Sequence, residues 1–422
     1  MNNVRFGVFF LLAILIAGLV RFSVYRECID NDSIIKVTSR TQQAEANAAT
    51  ILSGKGFGRL FSPGNQQNNP DDLGFALYVA FLWKIAGIQN TNVIRIGTLL
   101  LDIIAMVVLS ASIIKVCGQK AGLWTALLYA FYLPAVIEST YATSYVSVLH
   151  GTIFLMGLLF FFPRGLYAQI AITVLLACSL LVLDLIRATF VPLTPFLAVT
   201  LFIKVGKWQG FFLGTLLVCV TLSGVLILKL LLAASAHPVW HTIFVGLGEG
   251  PNPFGIVYLD QFGVAQAEKT CPGANLYTAT DQYMEVIKGR SLTLIDESPG
   301  FYIRVIGRRL LQVVIGMQNW NFISIGFSKS QAILVTYILF GLAFSGAIVC
   351  LKDKIPNSFI LFLMYFYFSL IVVPVSTMHP QYFIAGAGMQ IPFAGIFLSR
   401  LSIKRITEIK TEQADLRPIR HT

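Results

Sequence analysis

What most constrains this chain is a series of apolar runs, each near the length a helix needs to cross a lipid bilayer. They fall near residues 5–22, 95–114, 121–137, 142–162, 167–184, 188–203, 210–233, 331–351, 357–375 and 382–399. About 20 apolar residues in helical conformation span a hydrocarbon core of roughly 30 Å. Within that core every backbone N–H and C=O must find its partner inside the protein, which leaves helices or closed barrels. Barrel strands alternate apolar and polar positions, and these runs do not. An all-α integral membrane fold with about ten transmembrane helices is the expectation. Only 12% of the 422 residues are charged, against about 25% in soluble domains.

The net charge of +11 does not call for a nucleic-acid partner, because the basic residues sit between the runs, where topology places them. Lys115, Lys120, Arg164, Lys204, Lys207, Lys352, Lys354 and the tail from Arg400 all fall on one side. The turns at Glu138 and at 376–379 carry neither lysine nor arginine. Both termini are therefore expected in the cytosol and the protein in the cell membrane, as a single multi-pass domain. Residues 23–94 and 234–330 become two long outer loops, and 400–422 a basic cytosolic tail held near anionic lipid. The first run follows Arg5, but no small-x-small cleavage site follows it, since Arg21-Phe22-Ser23-Val24-Tyr25-Arg26 comes next. It reads as a retained span.

Both loops carry helix signals. In the first, Ser33–Ser53 is polar with a partial apolar face and stops at Gly54-Lys55-Gly56. Leu73–Ile88 is apolar but short and contains Lys84, so it reads as an interfacial helix. In the second, a glycine-rich stretch, Gly246-Leu247-Gly248-Glu249-Gly250-Pro251-Asn252-Pro253, leads to Asp260. Phe301–Gly316 then reads as a surface-lying helix whose Arg304, Arg308 and Arg309 share one face. Two charges lie at membrane depth: Lys229, which can snorkel, and Asp102, read as an internal helix contact. Cys28 and Cys271 both fall in outer loops and make a disulfide candidate where that side is oxidising, two free thiols being the alternative.

This layout resembles the GT-C class of polytopic glycosyltransferases, the fold of the protein O-mannosyltransferase and lipid A aminoarabinose transferase families. The resembling stretches run over roughly residues 5–310. They include Ala48-x-x-Ile51-x-x-Gly54-x-Gly56-Phe57, Val93-Ile94-Arg95-x-Gly97 through Asp102, Gly118–Gly122, Leu127–Pro134, and Arg187 ahead of Pro192 and Pro195. Trp240 with Gly246-Leu247-Gly248, Asn252, Gly255 and Asp260 is similar to a loop signature of bacterial members. Two departures stand out. Where the family's first loop has an acid, this chain has Ser39 or Arg40, and at the mouth of the fourth span it has Thr143-Ser144-Tyr145.

The resemblance implies transfer of a sugar from a polyprenyl-phosphate donor to a glycan, lipid or protein acceptor at the outer face, in contact with membrane lipid. Such a transfer needs a carboxylate to take the acceptor proton and cations or a metal to hold the leaving phosphate. The outer-side acids are Asp30, Asp32, Glu45, Asp71, Asp72, Glu138 and Asp260. Asp30, Asp32, Glu45 and Asp260 are the catalytic expectations. Asp30-Asn31-Asp32 reads equally as a helix-capping turn, and Glu45 also reads as a plain exposed helix residue. Arg187, Trp240, His241, His379, Gln381 and Tyr382 are the expected substrate-binding residues, an Arg187–Asp184 ion pair being the competing account of the arginine. No cofactor is assigned. The five histidines lack zinc spacing, while a divalent ion at the carboxylates stays open. An O-antigen-type polymerase, a lipid-linked sugar transporter and a catalytically inactive GT-C relative are the alternatives.

Overall fold

The computed structural model describes residues 3–30, 39–54, 73–141, 143–232, 239–248, 250–276, 279–315, 328–371, 373 and 384–401, and among them every regular element is helical. The chain runs α1 (Asn3–Asp30), α2 (Ser39–Leu52), α3 (Leu73–Ala86), α4 (Thr91–Cys117), α5 (Gln119–Ala130), α6 (Leu133–Tyr141), α7 (Ser144–Phe160) and α8 (Leu166–Ile186). A short 3₁₀ turn, Val191–Leu193, leads into α9 (Thr194–Val205) and α10 (Lys207–Leu232). Then come α11 (Val239–Gly246), α12 (Asp260–Thr270), α13 (Thr280–Glu297), α14 (Pro299–Ile315), α15 (Lys329–Lys352), α16 (Ser358–Leu370) and α17 (Ile384–Leu401).

Ten spans are not confirmed. Among the described residues six helices are long and apolar enough to cross a membrane: α1, α4, α8, α10, α15 and α17. The pair α5–α6, bent by 50°, makes a seventh if taken as one span. The runs at 142–162, 188–203 and 357–375 fold as shorter apolar helices, α7, the 3₁₀ turn with α9, and α16. The 17 residues of α7 rise only about 25 Å at 1.5 Å per residue, short of the hydrocarbon thickness. Pro192 and Pro195 set a tight turn between α8 and α9, which shortens α9.

The bend between α5 and α6 has an identifiable cause. Pro134 has no N–H to give the Ala130 carbonyl four residues back, so the helix breaks there. The freed oxygen accepts from Arg21 Nη1 at 3.3 Å. Arg21 is only 1% exposed, and the rest of its guanidinium closes on Asp102 Oδ2, at 2.7 Å from Nε and 2.5 Å from Nη2. The other Asp102 oxygen accepts from the Tyr129 hydroxyl at 2.7 Å and faces His150 Nε2 at 2.9 Å. One buried carboxylate thus ties α1, α4, α5 and α7 together. Asp102 is the internal helix contact anticipated from the sequence.

Small residues let the helices meet closely, as lipid-embedded packing requires. A Cβ on Gly346 of α15 would collide with the Phe393 backbone of α17. On Gly74 of α3 it would lie 2.6 Å from the Ile186 nitrogen at the end of α8. At one end of the bundle Lys204 donates to Asn357 Oδ1 at 3.2 Å, and Arg400 pairs with Asp353 at 2.9 Å. The other end carries α2 and α3 and a layer made of α11 to α14 with its own core, Phe244, Val245, Leu247, Ile256, Tyr283, Ile287, Phe301 and Val305. That second end is called the mouth below.

Candidate functional site

The mouth is built where α2, α6, α7 and the turn after α8 converge. Glu138 on α6 is 2% exposed, and its Oε2 accepts from the Thr143 hydroxyl at 3.3 Å. Next in the chain, Tyr145 and Arg187 are 6% and 8% exposed, and the guanidinium lies 4.7 Å from the centre of the tyrosine ring. That cation–π contact holds a positive charge against a flat aromatic face at the bundle end. Asp184 shapes the turn that presents Arg187: its Oδ1 accepts from the backbone N–H groups of Phe190 and Val191, both at 2.9 Å. Tyr367 of α16 donates to the Thr189 carbonyl at 2.7 Å and pins the same turn.

The first-loop helix α2 closes one side. Thr41 reaches the Tyr141 carbonyl at 3.5 Å, and Glu45 accepts from the Thr91 hydroxyl at the start of α4. A carboxylate at a helix N-terminus is favoured by the helix dipole. This contact gives Glu45 a job in seating α2 on α4, whatever else it does.

The layer above has a second polar group. His241 is buried on α11; its Nδ1 is 2.5 Å from the Tyr283 hydroxyl and its Nε2 is 3.2 Å from Asp260 Oδ1. In the neutral ring, Nε2–H donates to the carboxylate, so Nδ1 accepts from the tyrosine. Gly263 makes room: a Cβ there would sit 2.8 Å from that hydroxyl and 3.2 Å from Nδ1. Asn252 clips the glycine-rich loop, its amide donating to the carbonyls of Gly250 and Ile256 and its oxygen accepting from the N–H of Phe254 and Ile256. Arg309, 1% exposed, donates to the Gly246 carbonyl at 2.8 Å and the Val373 carbonyl at 3.0 Å, anchoring the layer to the bundle.

The expected site residues therefore divide. His241 and Asp260 are brought together, with Trp240 packed partly buried against the layer's core. Arg187 is at the mouth and Glu45 at its side. Asp32, His379, Gln381 and Tyr382 lie outside the described residues, as do the side chains of Asp30 and Cys28. Cys271 stands as a free, partly buried thiol, so the Cys28–Cys271 disulfide gains no support. The three arginines of α14 do not share a face as the spacing suggested. Arg304 is exposed, Arg308 half-buried against Gly250, and Arg309 buried. Among the described residues no group of three His, Cys, Asp or Glu side chains could hold a metal. Tyr145 was named only within the Thr143-Ser144-Tyr145 departure and Tyr283 was given no role, because a lone tyrosine carries no chemical signature in sequence.

No protein-family model matches this sequence, and no curated protein matches it either. Solved structures do. The archaeal oligosaccharyltransferase AglB from Archaeoglobus fulgidus, in complex with an inhibitory peptide and a dolichol-phosphate, superposes with a TM-score of 0.56 at 13% identity. That match covers 99% of this chain and 53% of AglB. The same enzyme in its apo form matches over 100% of this chain, again with a TM-score of 0.56. ArnT from Cupriavidus metallidurans, bound to undecaprenyl phosphate, aligns at a TM-score of 0.38 and 13% identity over 96% of this chain and 79% of its own. This chain spans about half the length of the oligosaccharyltransferase. The fold is the GT-C membrane fold that the sequence resembled.

Proposed function

We propose that this protein is a membrane glycosyltransferase that moves a sugar from a polyprenyl-phosphate donor to an acceptor at the mouth. The observation that carries it is the match of nearly the whole chain to about half of a transferase solved with dolichol-phosphate. In this reading the mouth faces away from the cytosol and both termini lie inside, as the lysine and arginine placement favours. Arg187 on its Tyr145 platform meets the donor phosphate, whose charge grows as the sugar leaves. Glu138, buried and within reach of a hydroxyl donor, is the carboxylate best placed to take the acceptor proton. His241 and Asp260 border the acceptor side.

The test is transfer from radiolabelled lipid-linked sugars by the purified full chain in nanodiscs. Transfer is expected. Glu138→Gln should lower the rate about 10²–10⁴-fold, the usual worth of a general base, with the fold retained by circular dichroism. Arg187→Lys keeps the charge but loses the flat stacking face and should raise the donor KM. Absence of transfer with every lipid-linked sugar tried, alongside binding of those lipids, would favour a catalytically inactive relative instead.

A further inference from the structure

Arg95 occupies the fifth residue of α4, at the mouth end, and is 5% exposed. Among the described residues, its environment does not balance its charge. The guanidinium makes one hydrogen bond among the described residues, from Nη1 to Asn92 Oδ1 at 3.3 Å, a neutral acceptor on its own helix. Its Nε is buried and has no partner among the described residues. Among the described residues no carboxylate pairs with it. Glu45 is engaged by the Thr91 hydroxyl four residues earlier. The position compounds the imbalance, since the N-terminal end of a helix already carries partial positive charge.

The bundle's other buried arginines are accommodated differently. Arg21 closes on Asp102, Arg309 donates to two backbone carbonyls, and Arg187 stacks on Tyr145. A buried guanidinium left without a counter-charge is strongly unfavourable, and charges at membrane depth mark function. Its surroundings also tie it to the mouth: Ile94, its neighbour, packs in one small cluster with Ile186, the neighbour of Arg187.

We propose that Arg95 is an anion-binding residue that takes a phosphate ester at the mouth end of α4. The planar guanidinium suits a phosphate's paired oxygens, and the positive end of the α4 dipole favours the same anion. The inference stands whether or not the protein transfers sugar, because it concerns binding alone. Three sources share this chemistry: the phosphate of a polyprenyl lipid, the headgroup of an anionic phospholipid, and free phosphate.

The experiment compares wild type with Arg95→Met, an apolar side chain of similar length, and with Arg95→Lys. Each is reconstituted in neutral phosphatidylcholine nanodiscs and melted with undecaprenyl phosphate, with phosphatidic acid, or with inorganic phosphate. Wild type should melt higher with at least one of the three, and the one that acts names the source. Arg95→Met should melt at or above the unliganded wild type and lose the response, while Arg95→Lys keeps part of it. Glu45→Gln, which removes a carboxylate held at the N-terminus of α4, should strengthen the same response severalfold. A wild type indifferent to all three, or a methionine variant that responds as wild type does, overturns the proposal.

Discussion

Among the described residues stand two aspartate–histidine–tyrosine groups, one inside the bundle and one in the mouth layer, and they solve opposite problems. In the bundle, Asp102 is fully buried and takes hydrogen bonds from Arg21, Tyr129 and His150. In the layer, Asp260 is 67% exposed and meets His241 from the solvent side. In hydrocarbon a carboxylate survives only with a counter-charge and full hydrogen bonding. At an exposed position water and salt do most of that work, and the pair adds little. The same three residue types are therefore structural at one site and adjustable at the other.

Breaking the bundle group should cost most. Arg21→Met leaves Asp102 as an uncompensated buried charge and should destabilise by about 3–5 kcal/mol, read as a lower denaturation midpoint in detergent. Adding Asp102→Leu to that variant should recover most of the loss. If the single variant is as stable as wild type, Asp102 is not held as the comparison requires. In the layer, Tyr283→Phe removes the only hydrogen-bond donor described for His241 Nδ1 and should cost about 1–3 kcal/mol, seen as local loss of hydrogen-exchange protection in α11 and α13. Asp260→Asn should be the mildest, within about 1 kcal/mol, and its transfer rate decides whether the exposed acid has a chemical role. A large stability loss there would erase the contrast between the two groups.

The apolar runs made the membrane fold legible; the short apolar stretch of the first loop gave α3 nearly to its ends, and the glycine stop gave the C-terminal end of α2. The number of spans was less legible, because a run of apolar residues does not reveal where Pro134 bends the chain or where α7 ends short. Arg21 read as the border of a polar loop, since its partner Asp102 is 81 positions away and no local pattern joins them. His241 and Asp260 were both legible as candidates, but their contact through α11 and α12 was not. Glu138 stood only as one of seven acids until α6 buried it beside Thr143.

By itself the sequence determined that this protein is helical and lies in a membrane. Those are consequences of transfer free energies summed over twenty-residue windows, and such sums need no knowledge of neighbours. Only the tertiary structure decided which charges are compensated. Compensation depends on distances of about 3 Å between residues on different helices, and those distances are set by how the helices bend and pack. For that reason Arg21 and Arg95, two arginines near the ends of apolar runs, look alike in the sequence and differ so sharply in the fold.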